Sequence, residues 1–174
     1  MSNEIETLVK AITNATRNAF TDLFTNNERF YYCVLMTTGE ALAPFISAWS
    51  WEALERTSRG RTELEVLKWS YADSPYYNYG EKYFNEVREL FAKRPNIYDL
   101  DDEFYDKEYD LRLSAMELAM KQLDKERIFE LNQHRSEVYI NVELMPPCVS
   151  NTERALRLNK KENIINWLIE AAEE

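Results

Sequence analysis

Glycine is scarce in this 174-residue sequence, at 3 residues. Phosphate-cradling loops and dinucleotide folds need glycine where backbone approaches the ligand, so neither is expected. Histidine occurs once, as His134, and the two cysteines, Cys33 and Cys148, lie far apart and outside any Cys-x-x-Cys spacing. Free thiols in a reducing cytoplasm are the plain reading of such a pair. No run approaches the roughly 18 apolar residues that a membrane span needs. The Met-Ser-Asn-Glu-Ile-Glu start lacks the basic and apolar segments of a secretory signal. Basic side chains are also few, 21 against 31 acidic, for a net charge of −10. That field repels phosphate backbones and anionic lipid, so neither nucleic acid nor membrane is an expected partner. It attracts a basic protein partner, although negative charge equally serves solubility alone. The expectation is a cytoplasmic, soluble protein with no cofactor.

What the chain does have is aromatic and apolar residues: 11 Tyr, 8 Phe and 4 Trp within a 45% hydrophobic composition. Its length suits one domain over residues 1–174, able to bury a core unaided. Ile5, Leu8, Val9, Ile12, Ala15, Ala19, Phe20, Leu23 and Phe24 recur at three- and four-residue steps, which predicts an amphipathic first helix. Asn3 with Glu6 reads as its capping box, and Asn26-Asn27 as its end. Phe30–Thr37 is aromatic and β-branched on both alternate faces and predicts a central strand. Its hairpin partner is expected over Leu42–Trp49, at an edge or broken at Pro44. Ser50 then caps a short helix, and a third strand is expected over Leu64–Trp69. A helix over about Glu81–Lys93 follows, then a long helix after the acidic stretch Asp99–Asp110. Val138–Leu144 alternates like a half-buried strand, and Ser150 with Glu153 reads as a second capping box. The fold class expected is therefore α+β, with a small mixed, largely antiparallel sheet of about four strands packed against several helices.

No catalytic motif stands out. His134 has polar loop neighbours and no evident nucleophile or orienting carboxylate, so an exposed loop histidine is the better reading. The acidic stretch fails as an EF-hand, because Phe104 stands where the sharp turn requires Gly and Asp110 where a bidentate Glu belongs. Acidic residues at a helix start complement its dipole, and that explains the stretch without a ligand. As a functional alternative, Asp101, Asp102 and Asp106 form a landing strip for a basic partner. The most suggestive feature is the aromatic group Trp69, Tyr71, Tyr76, Tyr77 and Tyr79 around Ser74-Pro75. Tyr and Trp are over-represented at interface hot spots. A packed loop with hydrogen-bonded hydroxyls is the plainer alternative, and sequence alone leaves open which of them are exposed.

Several stretches together resemble an uncharacterised bacterial family, domain of unknown function 4303. They are Phe30-Tyr31-Tyr32-Cys33-Val34-Leu35, Trp51-Glu52-Ala53-Leu54, Leu67-Lys68-Trp69-Ser70, Leu123-Asp124 with Ile128-Phe129, Val138–Leu144, and Ala155-Leu156-Arg157-Leu158-Asn159. The sequence departs from that pattern at Arg127, where Gly is usual, and at Met145-Pro146-Pro147. The resemblance implies a fold and carries no activity, so no catalytic or metal-binding residue transfers. Small acidic bacterial families include immunity proteins that neutralise toxins, and by that analogy a protein-binding or inhibitory module is the leading expectation. The alternatives are a small-ligand domain or enzyme with a Tyr/Trp-lined pocket, and a homo-oligomeric structural module.

Overall fold

A computed structural model describes residues 3–172, with the Asn3 side chain and its capping role outside the described part. The first helix, α1 (Asn3–Leu23), buries Leu8, Ile12, Ala15, Ala19, Phe20 and Leu23 along one face, as the periodicity predicts. It ends in a turn over Phe24–Asn26, where Asn27 takes a left-handed φ of 61° and donates its N–H to the Phe24 carbonyl.

Among the described residues the sheet has three strands, in the order β2-β1-β3. The central strand β1 (Phe30–Thr38) pairs antiparallel with β2 (Phe45–Ser50) and parallel with β3 (Tyr139–Met145). The pairing is thus evenly mixed. A register shift between Phe30 and Tyr32 inserts Tyr31, and both Tyr31 and Tyr32 then serve the same layer of the core. Pro44, without a backbone donor, stands just before β2 rather than inside it. The loop that follows Trp69 is stitched to this edge strand: Ser47 donates to the Tyr71 carbonyl, Trp49 Nε1 to that of Ser70, and Ser74 to that of Ala48.

The expected strand at Leu64–Trp69 is absent. That segment is the helix α3 (Arg61–Leu67), after α2 (Trp51–Thr57), followed by a turn. A short apolar run fits either period, and packing decides. Leu64 and Leu67 pack on the core while Val66 is 71% exposed, which is helical and not alternating. This accounts for three strands instead of four. The next segment is a 3-10 turn (Glu81–Phe84) leading into α4 (Asn85–Ala92). The long helix α5 (Asp102–Lys125) begins inside the acidic stretch, capped by Asp101, rather than after it. α6 (Val149–Leu158) likewise starts earlier than Ser150; Cys148 precedes it and makes no side-chain cap, so the second capping box does not form. α7 (Ile165–Glu170) closes the described chain.

The sheet separates two buried layers. On one side lie α1, α4 and α5, with Phe20, Phe24, Leu35, Met116, Met120, Phe129 and Ile140. On the other lie α2, α3 and α7, with Tyr31, Tyr32, Trp49, Leu54, Tyr139 and Trp167.

The outer edge of β3 is sealed by side chains, not by another strand. Asn151 accepts from Leu144 N–H and donates to its carbonyl, and Arg154 donates to the carbonyl of Val142. Asn159 accepts from Ile140 N–H and donates to its carbonyl. Eight residues of helix rise about 12 Å, and four residues of strand about 13 Å. Asn151 in the first turn of α6 and Asn159, the residue that caps its C-terminus, therefore match two edge residues four apart on β3. Each amide carries the donor and acceptor of the missing peptide.

Candidate functional site

The bulge at Tyr31, the first residue of α2 and the turn after α3 bring aromatic rings together above β1 and β3. Tyr31 stacks on Trp51 at 4.1 Å between ring centroids and meets Trp69 edge-on at 5.4 Å. Tyr139 lies between Tyr32 (5.5 Å) and Trp167 (4.7 Å), stacked on both. All of these rings but Tyr32 wall a cleft of about 90 Å³. Lys68 lies along it, with Nζ 5.0 Å from the Trp69 centroid and 5.9 Å from that of Trp51. Its ammonium donates to Glu170 Oε2 at 2.8 Å, and Trp69 Nε1 donates to the same oxygen at 2.7 Å. Lys68, aided by Trp69, holds the Glu170 carboxyl below the usual carboxylate range. Tyr31 donates its hydroxyl to the Lys68 carbonyl, and burial pushes that hydroxyl's pKa up.

Beneath the rings sits a sealed polar group. Glu143 accepts the Tyr32 hydroxyl at 2.6 Å and the Tyr139 hydroxyl at 2.8 Å. Asn141 donates to the Tyr139 oxygen and to the Asn151 carbonyl, while its own Oδ1 has no partner among the described residues. Burial pushes the Glu143 carboxyl up, and the two hydroxyl bonds do not offset it. Burial likewise raises both tyrosines well above their ordinary value. Glu143 does not line the cleft, and no nucleophile is among its partners, so the group orders the strands rather than presenting an acid to a substrate.

The five aromatics singled out from sequence do not form one surface. Trp69 lines the cleft. Tyr71 is half-buried against Tyr77, which is 49% exposed and packs edge-on against Phe45 at 5.0 Å. Tyr76 turns elsewhere, with its ring 5.3 Å from Phe30 and its hydroxyl donated to Glu28. Glu28 also accepts from Ser50 and Arg56, which ties the loop to both ends of α2. Tyr79 packs edge-on against Tyr76, with its hydroxyl directed at Asp22. For Tyr76 and Tyr79 the packed-loop alternative describes the geometry.

The acidic residues lie on the opposite layer. Asp101 caps α5 by accepting the Phe104 N–H at 3.1 Å, and Asp102 and Asp106 are exposed on its first turns. Glu108 is instead buried between Arg94 and Arg112. Burial raises its carboxyl, but the bonds from Arg94 and Arg112 outweigh that and hold it low. Beside the exposed carboxylates stand Tyr98, 67% exposed, and Phe104, 58% exposed. Neither is among the interaction residues expected from sequence; the available signal was apolar bulk within an acidic run, off the helical stripe that packs on α1. His134 is exposed, with Nδ1 2.7 Å from Ser136 Oγ, as the cap of a short turn. Among the described residues no three His, Cys, Asp or Glu side chains group as metal ligands. No described helix is long and apolar enough to cross a membrane.

The arrangement is that of an α+β protein built on a three-stranded mixed sheet, with a small aromatic cleft on one side and an acidic helix start on the other. The chain belongs to the family described as domain of unknown function (DUF4303), whose profile matches residues 12–160. No curated protein and no solved structure matches it.

Proposed function

We propose that this chain is a cytoplasmic protein-binding module of inhibitory, immunity-like type, which presents the start of α5 to a basic protein partner. The observation that carries this reading is the exposure of Tyr98 and Phe104 among the exposed carboxylates Asp99, Asp101, Asp102 and Asp106. Aromatic anchors supply interface energy, and surrounding charge sets the encounter rate. Two unpaired cysteines and a −10 charge fit a reducing compartment and a basic partner.

Affinity capture from the source organism's lysate at two salt concentrations identifies the partner, and kinetics on purified components then test the surface. Changing Asp101, Asp102 and Asp106 to Asn should slow association by about 10-fold and flatten its salt dependence. Asn caps a helix as well as Asp does, so the fold is kept. Phe104→Ala should act mainly on dissociation. Association and dissociation rates that ignore all four changes would remove the α5 surface from the proposal. The second reading, a ligand-binding domain or enzyme, is favoured by the cleft with its aromatic walls, which at about 90 Å³ accepts a chemical group rather than a drug-sized molecule.

A further inference from the structure

We infer that the aromatic cleft is a receptor for the head group of an organic cation, an alkylammonium or guanidinium, and that Lys68 is its built-in occupant. This stands independently of the α5 surface, which lies on the other side of the sheet. The faces of Trp51 and Trp69 attract cations, and the cleft already holds one over both; Tyr31, stacked on Trp51, and Trp167, stacked on Tyr139, complete its aromatic wall. Charge points the same way. Glu137 lines the cleft and Glu170 bonds to Trp69 at its margin, against the single positive charge of Lys68. An anion would face two carboxylates there.

The cleft also carries polar capacity. The side chains of Glu137, Asn163 and Asn166 line its mouth, Glu137 and Asn166 exposed and Asn163 half-buried, so their oxygens are open to an entering ligand. A guanidinium brings five N–H donors and an ammonium up to three, and these three side chains offer the matching acceptor oxygens. Lys68 is held lightly for a group so enclosed. Among the described residues its Nζ bonds to Glu170 alone, and the Glu170 side chain is 41% exposed. An adjoining groove of about 520 Å³, bordered by Leu64 and Glu65, gives the displaced side chain room. Lys68 is then a tethered competitor, and removing it should strengthen binding of a free cation.

Three of the four tryptophans, Trp51, Trp69 and Trp167, line the cleft, so indole fluorescence and indole N–H nuclear magnetic resonance signals report on it. The experiment titrates the full chain and its Lys68→Met variant with choline, with methylguanidinium and with 3,3-dimethylbutan-1-ol, the neutral isostere of choline, at constant ionic strength. The expected result is saturable binding of the cations, about 10-fold or more tighter in the variant, and no saturable response to the alcohol. Equal response to cation and alcohol would overturn charge recognition, and no saturable response in a folded variant would overturn the site. If Lys68→Met does not fold by circular dichroism, the wild-type titration decides: cation-specific shifts of the Trp51, Trp69 and Trp167 signals sustain the inference, and their absence ends it. A final arm separates the sources. A trimethyllysine peptide bound more than about 10-fold tighter than choline assigns the cleft to a protein side chain, and equal affinity assigns it to a small molecule.

Discussion

At the scale of single residues, Glu143 differs from the exposed acids that dominate the chain. It is 8% exposed and bonded to two buried phenols, and burial raises its folded-state pKa. A carboxyl raised on folding stabilises the fold while protonated. That contribution is complete below the unfolded-state value of about 4.3 and is lost as pH rises through the higher folded-state value. Glu143→Gln stays neutral at every pH and keeps one acceptor oxygen. Its stability relative to wild type should therefore improve from pH 4 to pH 7.5, by on the order of 1 kcal/mol or more. Urea unfolding of both proteins at the two pH values measures this, and a constant offset would show that Glu143 does not titrate on folding. Glu108 works in the opposite sense: held low by Arg94 and Arg112, it stabilises above its unfolded value and is lost as pH falls. Comparing variant with wild type cancels that background. Arg127 is another instructive residue. Its φ is 61°, a left-handed conformation that Gly takes without steric cost, which accords with the Gly that the family resemblance leads one to expect there.

At the scale of elements, α6 replaces a fourth strand. An open edge invites pairing with another chain, and here Asn151, Arg154 and Asn159 occupy its donors and acceptors. Asn151→Ala would leave the Leu144 N–H and carbonyl unpaired beside a buried Arg154. The expected cost is about 2 kcal/mol, read as a lower urea midpoint, with light scattering rising on mild heating as the edge pairs between molecules. A variant with unchanged midpoint and no scattering would mean that water replaces the amide without cost. The sheet's extent was the least legible part of the sequence for the same reason. Leu64–Trp69 has strand-like composition, and only the packing of Leu64 and Leu67 against the sheet made it a helix and a turn. The start of α5 was misread because carboxylates mask a helical pattern whose apolar members are themselves exposed.

At the scale of the whole molecule, two helical layers share one thin sheet. Trp49, Trp51, Trp69 and Trp167 all belong to the α2, α3 and α7 side, whereas the 21 and 24 residues of α1 and α5 lie on the other. Tryptophan fluorescence thus reports one layer, and far-ultraviolet circular dichroism mainly the other. The strands bury side chains into both layers, so both signals should change at the same urea midpoint, as for one cooperative unit. Fluorescence changing first would mean that the aromatic layer opens by itself.

Taken alone, the sequence determined the features that depend on near neighbours along the chain. The first helix, the central strand, the presence of a strand near Tyr139 and the α+β class were legible because hydrophobic periodicity is a local property. The expected half-burial of that strand does not hold: Asn141 and Glu143, its alternate polar residues, are buried too, under the second helical layer. The net charge of −10 followed from composition alone. The tertiary structure decided what depends on which surfaces meet. It placed Trp69 in the cleft with Trp51 and Trp167, sent Tyr76 to Glu28, and sealed Glu143 between Tyr32 and Tyr139. It also left Tyr98 and Phe104 exposed. An aromatic side chain has nearly the same local preference whether it fills a core or faces water, so only the packing of distant segments could assign each one its place.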